Sequence, residues 1–224
     1  GSAFRQYAAM ASTSAFSVEQ RSITGNEGYR VFEPVGVVAA IIPWNGPAAL
    51  IAYKTAPALL AGCTVVIKSS PEAPCSAYMI AEICEEIGLP PGVINVITAD
   101  RDVSEELVRH PGVDKITFTG STAAGRRIAS IAGDRVARVT LELGGKSPAI
   151  VLDDYDVEAA ASTLGNSYFG YNTGQICHSL TRVIVPRAKH DAMVDALSAI
   201  AAKIVLGDPF DPEPFKCKAE KNGH

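Results

Sequence analysis

The pattern of apolar and polar positions changes character at residue 35. Before it, residues 3–16 suit the end of a helix, and residues 17–29 run polar and glycine-containing, as an exposed ribbon or loop does. Residues 35–42, VGVVAAII, are apolar without a break over the length of a strand. Pro43 ends that run, and residues 47–61 read as a helix with Pro47 suited to its first turn. The pair then recurs: strand 64–67, helix 74–87, strand 93–97, helix 103–109, strand 115–119, helix 122–132. Strands that are apolar at every position, separated by helices of roughly ten residues, are buried on both faces, as in a parallel sheet with helices above and below. The text predicts a doubly wound α/β domain.

A further strand over 139–143 ends in Gly144-Gly145-Lys146, and the order begins again with strand 149–152, helix 157–167, strand 182–185 and helix 190–204. A boundary at Gly144-Gly145 gives one domain over 1–143 and part of a second α/β domain over 144–206. Residues 207–224, proline-rich and then charged, lack periodicity and read as a tail. In doubly wound sheets a ligand lies beyond the carboxyl ends of the strands. The informative residues are therefore Pro43-Trp44-Asn45, Lys68-Ser69-Ser70, Thr98-Ala99-Asp100 and Gly120-Ser121-Thr122.

Composition narrows the classes of partner. With 224 residues and 47% hydrophobic content the chain can bury a sizeable core. The formal charge is −4 and basic residues are scattered singly, which excludes the footprint of a nucleic-acid or anionic-membrane binder. The apolar runs 35–44 and 48–67 are broken by Pro43, Lys54 and Pro57, so neither reads as a bilayer span. Five widely spaced cysteines without a C-x-x-C pair argue against disulfides and zinc, and with no leader pattern they point to the cytoplasm.

Several residues offer chemistry, each beside a plainer reading. Cys177, in the stretch YNTGQICHSLTR over 171–182, is a candidate nucleophile or a small buried core residue. A Cys177–His178 pair of the protease kind is unattractive, since adjacent side chains seldom face one another. The turn from Gly120 to Arg126 lies between strand and helix, where a phosphate is favoured; Ser121 or Thr122 serving only as a helix cap is the alternative. Arg126 and Arg127 stand where a nucleoside-triphosphatase loop needs Lys and Ser/Thr, which makes that activity a poor reading. Lys68 can donate to ribose or phosphate, or be a solvated strand end. Trp44 can wall a pocket, and Asn45 can donate to an oxyanion or merely turn the chain. Glu142, inside the apolar text VTLELGG, is a candidate general base whose carboxyl pKa burial would raise, or an edge-strand residue facing water.

In combination, the segments EPVGVVAAIIPWN, PALLAGCTVVIKSSPEAP, HPGVDKITFTGSTAAGR, LELGGKSP and NTGQICHSLTR resemble the aldehyde dehydrogenase superfamily, in its order and over about residues 17–213. The resemblance implies a Rossmann-like cofactor domain over 1–143 that binds NAD, with NADP as the other possibility, and a partial catalytic domain over 144–206. It implies Cys177 as nucleophile, Glu142 as general base, Asn45 with the Cys177 backbone N–H as oxyanion hole, and Lys54 on a proton path. It places Trp44, Lys68, Ser70, Gly120 and Ser121 against the dinucleotide and Leu143 by the nicotinamide. Residues 17–33 resemble the family's oligomerisation ribbon, which implies a homo-oligomer acting on a small aldehyde.

The departures are as informative. Pro71 stands third after Lys68, where the family often has a ribose-binding Glu, and Glu72 follows it. Ala99-Asp100-Arg101 replaces a glycine-rich turn, and Gly46 leaves room for a bulky aldehyde. Family segments expected before and after this text are not in it, so it reads as a central fragment or truncated member. The sequence thus supports an aldehyde-oxidising enzyme, with a catalytically idle dinucleotide-binding or assembly chain as the alternative. Acyl transfer to a thiol such as coenzyme A is the weaker third reading, because Glu142 is retained for water.

Overall fold

The computed structural model describes residues 2–12, 17–21, 25, 27–165, 168 and 172–204. The chain divides into two compact units, Gly1–Leu143 and Gly144–His224. The expected tail over 207–224, Tyr171, and parts of the expected first helix and of the helix to residue 167 lie outside the described residues.

The first unit opens with α1 (Ser2–Ala11), then the strands β1 (Ser17–Arg21) and β2 (Glu27–Val31), which pair antiparallel as a two-stranded ribbon. The body follows as β3 (Val37–Ile41), α2 (Pro47–Leu60), β4 (Thr64–Ser69), α3 (Cys75–Glu86), β5 (Ile94–Thr98), α4 (Arg101–Arg109), β6 (Lys115–Gly120), α5 (Thr122–Asp134) and β7 (Arg138–Leu143). The five strands β3 to β7 form one parallel sheet in the order β5-β4-β3-β6-β7. The order reverses between β3 and β6, where doubly wound sheets hold their ligand cleft.

The unbroken apolar text of β3 has a direct cause. Val38, Ala40 and Ile42 pack with Ile51, Val65, Ile67 and Ala77 under α2 and α3, while Ala39 and Ile41 pack with Val108, Ile116, Phe118, Ile128 and Ile131 under α4 and α5. A strand covered on both faces has no polar face to show. The edge strand β7 does alternate: Leu141 and Leu143 are half-buried on the α5 side, whereas Thr140 and Glu142 are exposed. Gly125 brings α5 close to this edge, since a Cβ there would meet the Leu143 side chain at 2.5 Å.

The second unit contains β8 (Pro148–Ile150), α6 (Val157–Leu164), β9 (Arg182–Ile184) and α7 (His190–Ala201). Its two strands pair in parallel. Val151, Ala160, Ala161, Met193 and Ala196 make its core, and Asp156 caps α6 by accepting from the Ala159 N–H at 2.8 Å.

Candidate active site

A cleft of about 610 Å³ lies beyond the carboxyl ends of β3, β4, β5 and β6. Its apolar side is Ile41, Phe118 and Ile128; Lys68, Ser70 and Ser121 are among its polar lining. Lys68 is buried rather than solvated, and its Nζ donates to the Ala99 carbonyl at 3.0 Å. Burial holds its pKa below the usual lysine range, with Glu72 and Asp100 acting in the opposite direction. Ser70 donates to the Glu72 carboxylate, which that hydrogen bond keeps readily ionised.

Ser121 caps α5, its hydroxyl accepting from the Ala124 N–H at 3.2 Å. The capping alternative and the ligand-edge position therefore hold at one residue. The positive end of the 13-residue α5 dipole meets the cleft here. Gly120 keeps the strand end narrow: a Cβ there would lie 2.5 Å from the Phe118 ring. Across the cleft, Glu105 of α4 accepts from Arg127 of α5 at 2.7 Å and from Arg109 at 2.7 Å. Hydrogen bonds from Arg127 and then Arg109 hold the Glu105 carboxyl down to about 2. The sequence reading missed this cluster; its signal is Glu105 and Arg109 four apart on one helix, with a second Arg in the second turn of the next helix. Trp44, Gly120 and Leu143 stand outside the lining of this cleft, and Trp44 is 43% exposed.

The opposite face of the sheet is polar where it meets α2. Lys54 is 8% exposed, and its Nζ donates to the buried Thr117 hydroxyl at 3.0 Å. Burial lowers its pKa to about 8; the Glu142 carboxylate works against that shift and Lys115 adds to it. Of the two alternatives for Glu142, a buried carboxylate and an edge-strand residue facing water, the structure shows the second. Glu142 is exposed, because β7 is the edge of the sheet and this residue points away from the α5 side. Asn45 is half-buried at the turn after β3, where Gly46 takes φ 106° and its N–H bonds back to the Trp44 carbonyl at 3.2 Å.

In the second unit, Cys177 is exposed rather than buried. It follows a left-handed turn, Asn172–Gly174, in which Asn172 and Thr173 both have positive φ. Side chains pin that turn: Gln175 Nε2 donates to Thr173 Oγ1 at 2.6 Å and Ser179 Oγ to the Gly174 carbonyl at 3.0 Å. Against expectation, Cys177 Sγ and His178 Nδ1 approach to 3.8 Å. Tight local turning brings the two neighbours to one side.

A doubly wound parallel sheet with a lysine-lined cleft at its switch point, followed by a separate α/β unit presenting an exposed cysteine, defines a two-unit α/β protein with nucleotide-cleft topology. Residues 1–216 match the aldehyde dehydrogenase family, and the chain belongs to it. It is 47% identical over 210 residues to geranial dehydrogenase of Castellaniella defragrans, covering 94% of this chain and 44% of that protein. It is 45% identical over 186 residues to betaine aldehyde dehydrogenase 1 of Oryza sativa subsp. japonica, covering 83% and 37%. The Mycobacterium tuberculosis aldehyde dehydrogenase, solved in complex with NAD+, has a TM-score of 0.88 and 39% identity, covering 94% of this chain and 43% of that one. The chain spans less than half the length of these relatives.

Proposed function

We propose that this chain carries the dinucleotide cleft and the nucleophile segment of an NAD-dependent aldehyde-oxidising enzyme. The observation that carries the reading is the family match over residues 1–216, together with a structural neighbour that binds NAD+. The cleft fits such a cofactor: an ammonium, two hydroxyls and a helix N-terminus border an apolar wall at the switch point of the sheet. Lys68, Ser70 and Ser121 hold the ribose and phosphates, Gly120 lets the backbone approach, and Trp44 and Leu143 complete the contacts. When bound, the nicotinamide supplies an acceptor for a hydride.

The chain's own residues do the rest. The Cys177 sulfur adds to the aldehyde carbon, and Asn45 donates to the oxygen as charge develops there. Departure of a hydride from the resulting thiohemiacetal, to the acceptor a bound nicotinamide would supply, would leave a Cys177 thioester, and Glu142 takes a proton from the water that hydrolyses this thioester to the carboxylic acid. Lys54, buried and easily deprotonated, passes protons on. The ribbon of β1 and β2 serves assembly of a homo-oligomer in the cytoplasm. Among the described residues no helix is long and apolar enough to cross a membrane.

A second reading is a chain that binds dinucleotide without turnover. Incubation with NAD and an aldehyde panel, following reduced nicotinamide with Cys177→Ala as control, tests the first. Equal signals from both proteins would sink it, and calorimetric titration of NAD separates a silent binder from an inert chain.

A further inference from the structure

The amino-acid sequence argues against a working Cys177–His178 pair, because adjacent side chains seldom face one another. Local backbone supplies the exception. Asn172, Thr173 and Gly174 all take left-handed conformations, at φ 47°, 52° and 75°. The turn they make is closed from both sides: the Gln175 N–H donates to the Asn172 carbonyl at 3.0 Å, and the hydroxyl of Ser179, 2% exposed, donates to the Gly174 carbonyl at 3.0 Å. The Ser179 N–H also bonds back to the Ile176 carbonyl at 3.1 Å. These ties hold both ends of the stretch that carries Cys177 and His178.

Cys177 Sγ and His178 Nδ1 stand 3.8 Å apart, and both side chains are exposed. Hydrogen bonds between a nucleophile and its base are often this loose before substrate arrives. With its proton on Nε2, the neutral ring offers the Nδ1 lone pair to the thiol; once protonated, the ring attracts the thiolate. Among the described residues neither side chain is hydrogen-bonded or ion-paired to any other group. The charged groups that adjoin the stretch within the second unit are Lys146, before β8, and Arg182 of β9, whose Nε donates to the Lys146 carbonyl at 2.7 Å. Both are cations, so both favour an anionic sulfur and neither offers His178 a competing carboxylate.

We propose that His178 is the base that readies Cys177 for attack, taking the thiol proton on Nδ1 as the sulfur adds to the aldehyde. The S–H bond breaks and an N–H bond forms at Nδ1; the C–S bond forms, and the carbonyl electron pair moves onto the oxygen. The imidazolium then gives its proton to solvent, which both exposed side chains reach, so the pair returns to its starting state. The inference rests on the reading of Cys177 as the nucleophile. It leaves Glu142 its separate task with the hydrolytic water.

The test follows the thiol itself, so it does not depend on turnover. The full chain is alkylated with iodoacetamide from pH 5.5 to pH 9.5, and the rate at Cys177 is read peptide by peptide by mass spectrometry, in wild type and in His178→Asn and His178→Ala. Exposed Cys75, in the other unit, is the internal reference. A histidine changes charge between about pH 5 and 8, so a thiolate held beside imidazolium persists at acidic pH. The pair predicts that wild-type Cys177 reacts roughly fivefold to tenfold faster than either variant at pH 6, the size of an attraction largely screened by water, and that the rates converge by pH 9. Cys75 keeps one profile in all three proteins. Matching Cys177 profiles in wild type and His178→Asn, or slower wild-type reaction at pH 6, overturn the proposal. A His178-dependent profile supports the pair even where no aldehyde is oxidised, and that lack of oxidation counts against the reading of function alone.

Discussion

At the residue scale, Lys54 is where stability and chemistry pull apart. Its folded pKa, about 8, lies below the ordinary 10.5, so the charged form is disfavoured in the fold. The unfolded chain binds more protons between those values, so stability rises with pH from about 8 to about 10.5 and the penalty is fully present below 8. Lys54→Met is therefore expected to stabilise the chain at pH 7 by on the order of 2 kcal/mol, less the cost of leaving the Thr117 hydroxyl unpaired. Denaturant melts at pH 7 and pH 10.5 check this, the gain shrinking at the higher pH. Asn45→Ala is expected to lower aldehyde turnover by roughly a hundredfold to a thousandfold with little effect on NAD binding. Near-normal turnover in that variant would remove Asn45 from the oxyanion role. Lys54 also marks the limit of legibility in the sequence. An apolar run interrupted by one lysine shows that the residue is special, but its partner, Thr117, lies 63 positions away and only the sheet brings them together.

At the scale of elements, α4 and α5 are tied by charge and α5 and β7 by a strained turn. Glu105 is held at about 2 by Arg127 and Arg109, well under its ordinary 4.5. The stabilisation from that lowered value is present above pH 4.5 and is lost as pH falls through about 2. Acid titration of stability should accordingly show a loss in this window that Glu105→Gln lacks. At the α5–β7 connection, Val136 is 91% exposed with φ 56°, a left-handed conformation that β-branched residues rarely adopt. Val136→Gly is expected to raise stability by about 1 kcal/mol, read as a shift in the denaturant midpoint at constant slope. A lower midpoint would show that the valine contributes something the turn geometry does not reveal. The elements themselves were largely legible. Unbroken apolar strands and Pro47 at a helix start announced the sheet and α2, and the structure agrees within a few residues. The left-handed Val136 left no trace in the text, because its turn is closed by the Arg135 guanidinium bonding to the Val108 and Val113 carbonyls at 2.5 Å.

At the scale of the whole molecule, the sheet topology positions a cleft in the first unit, and the second unit carries Cys177. The strand-end rule located Lys68, Ser70 and Ser121, all of which line the cleft. Exposure was read less well. Glu142 sits in apolar text yet is exposed, because a local sequence does not say which strand becomes the edge. Cys177, a candidate nucleophile or a small core residue by its sequence, lies exposed after a turn held by Gln175 and Ser179, which does not fit the core alternative. The motif signalled chemistry at this position, whereas burial depends on packing partners far away in the chain.

The central claim, that Cys177 attacks an aldehyde and that Glu142 serves hydrolysis of the product, is tested most directly by trapping the intermediate. The Glu142→Gln variant, incubated with NAD and an aldehyde and then digested for mass spectrometry, should carry an acyl group on the peptide containing Cys177, and none when NAD is omitted. Absence of the adduct under both conditions, or an adduct confined to Cys63, Cys75 or Cys84, would contradict it.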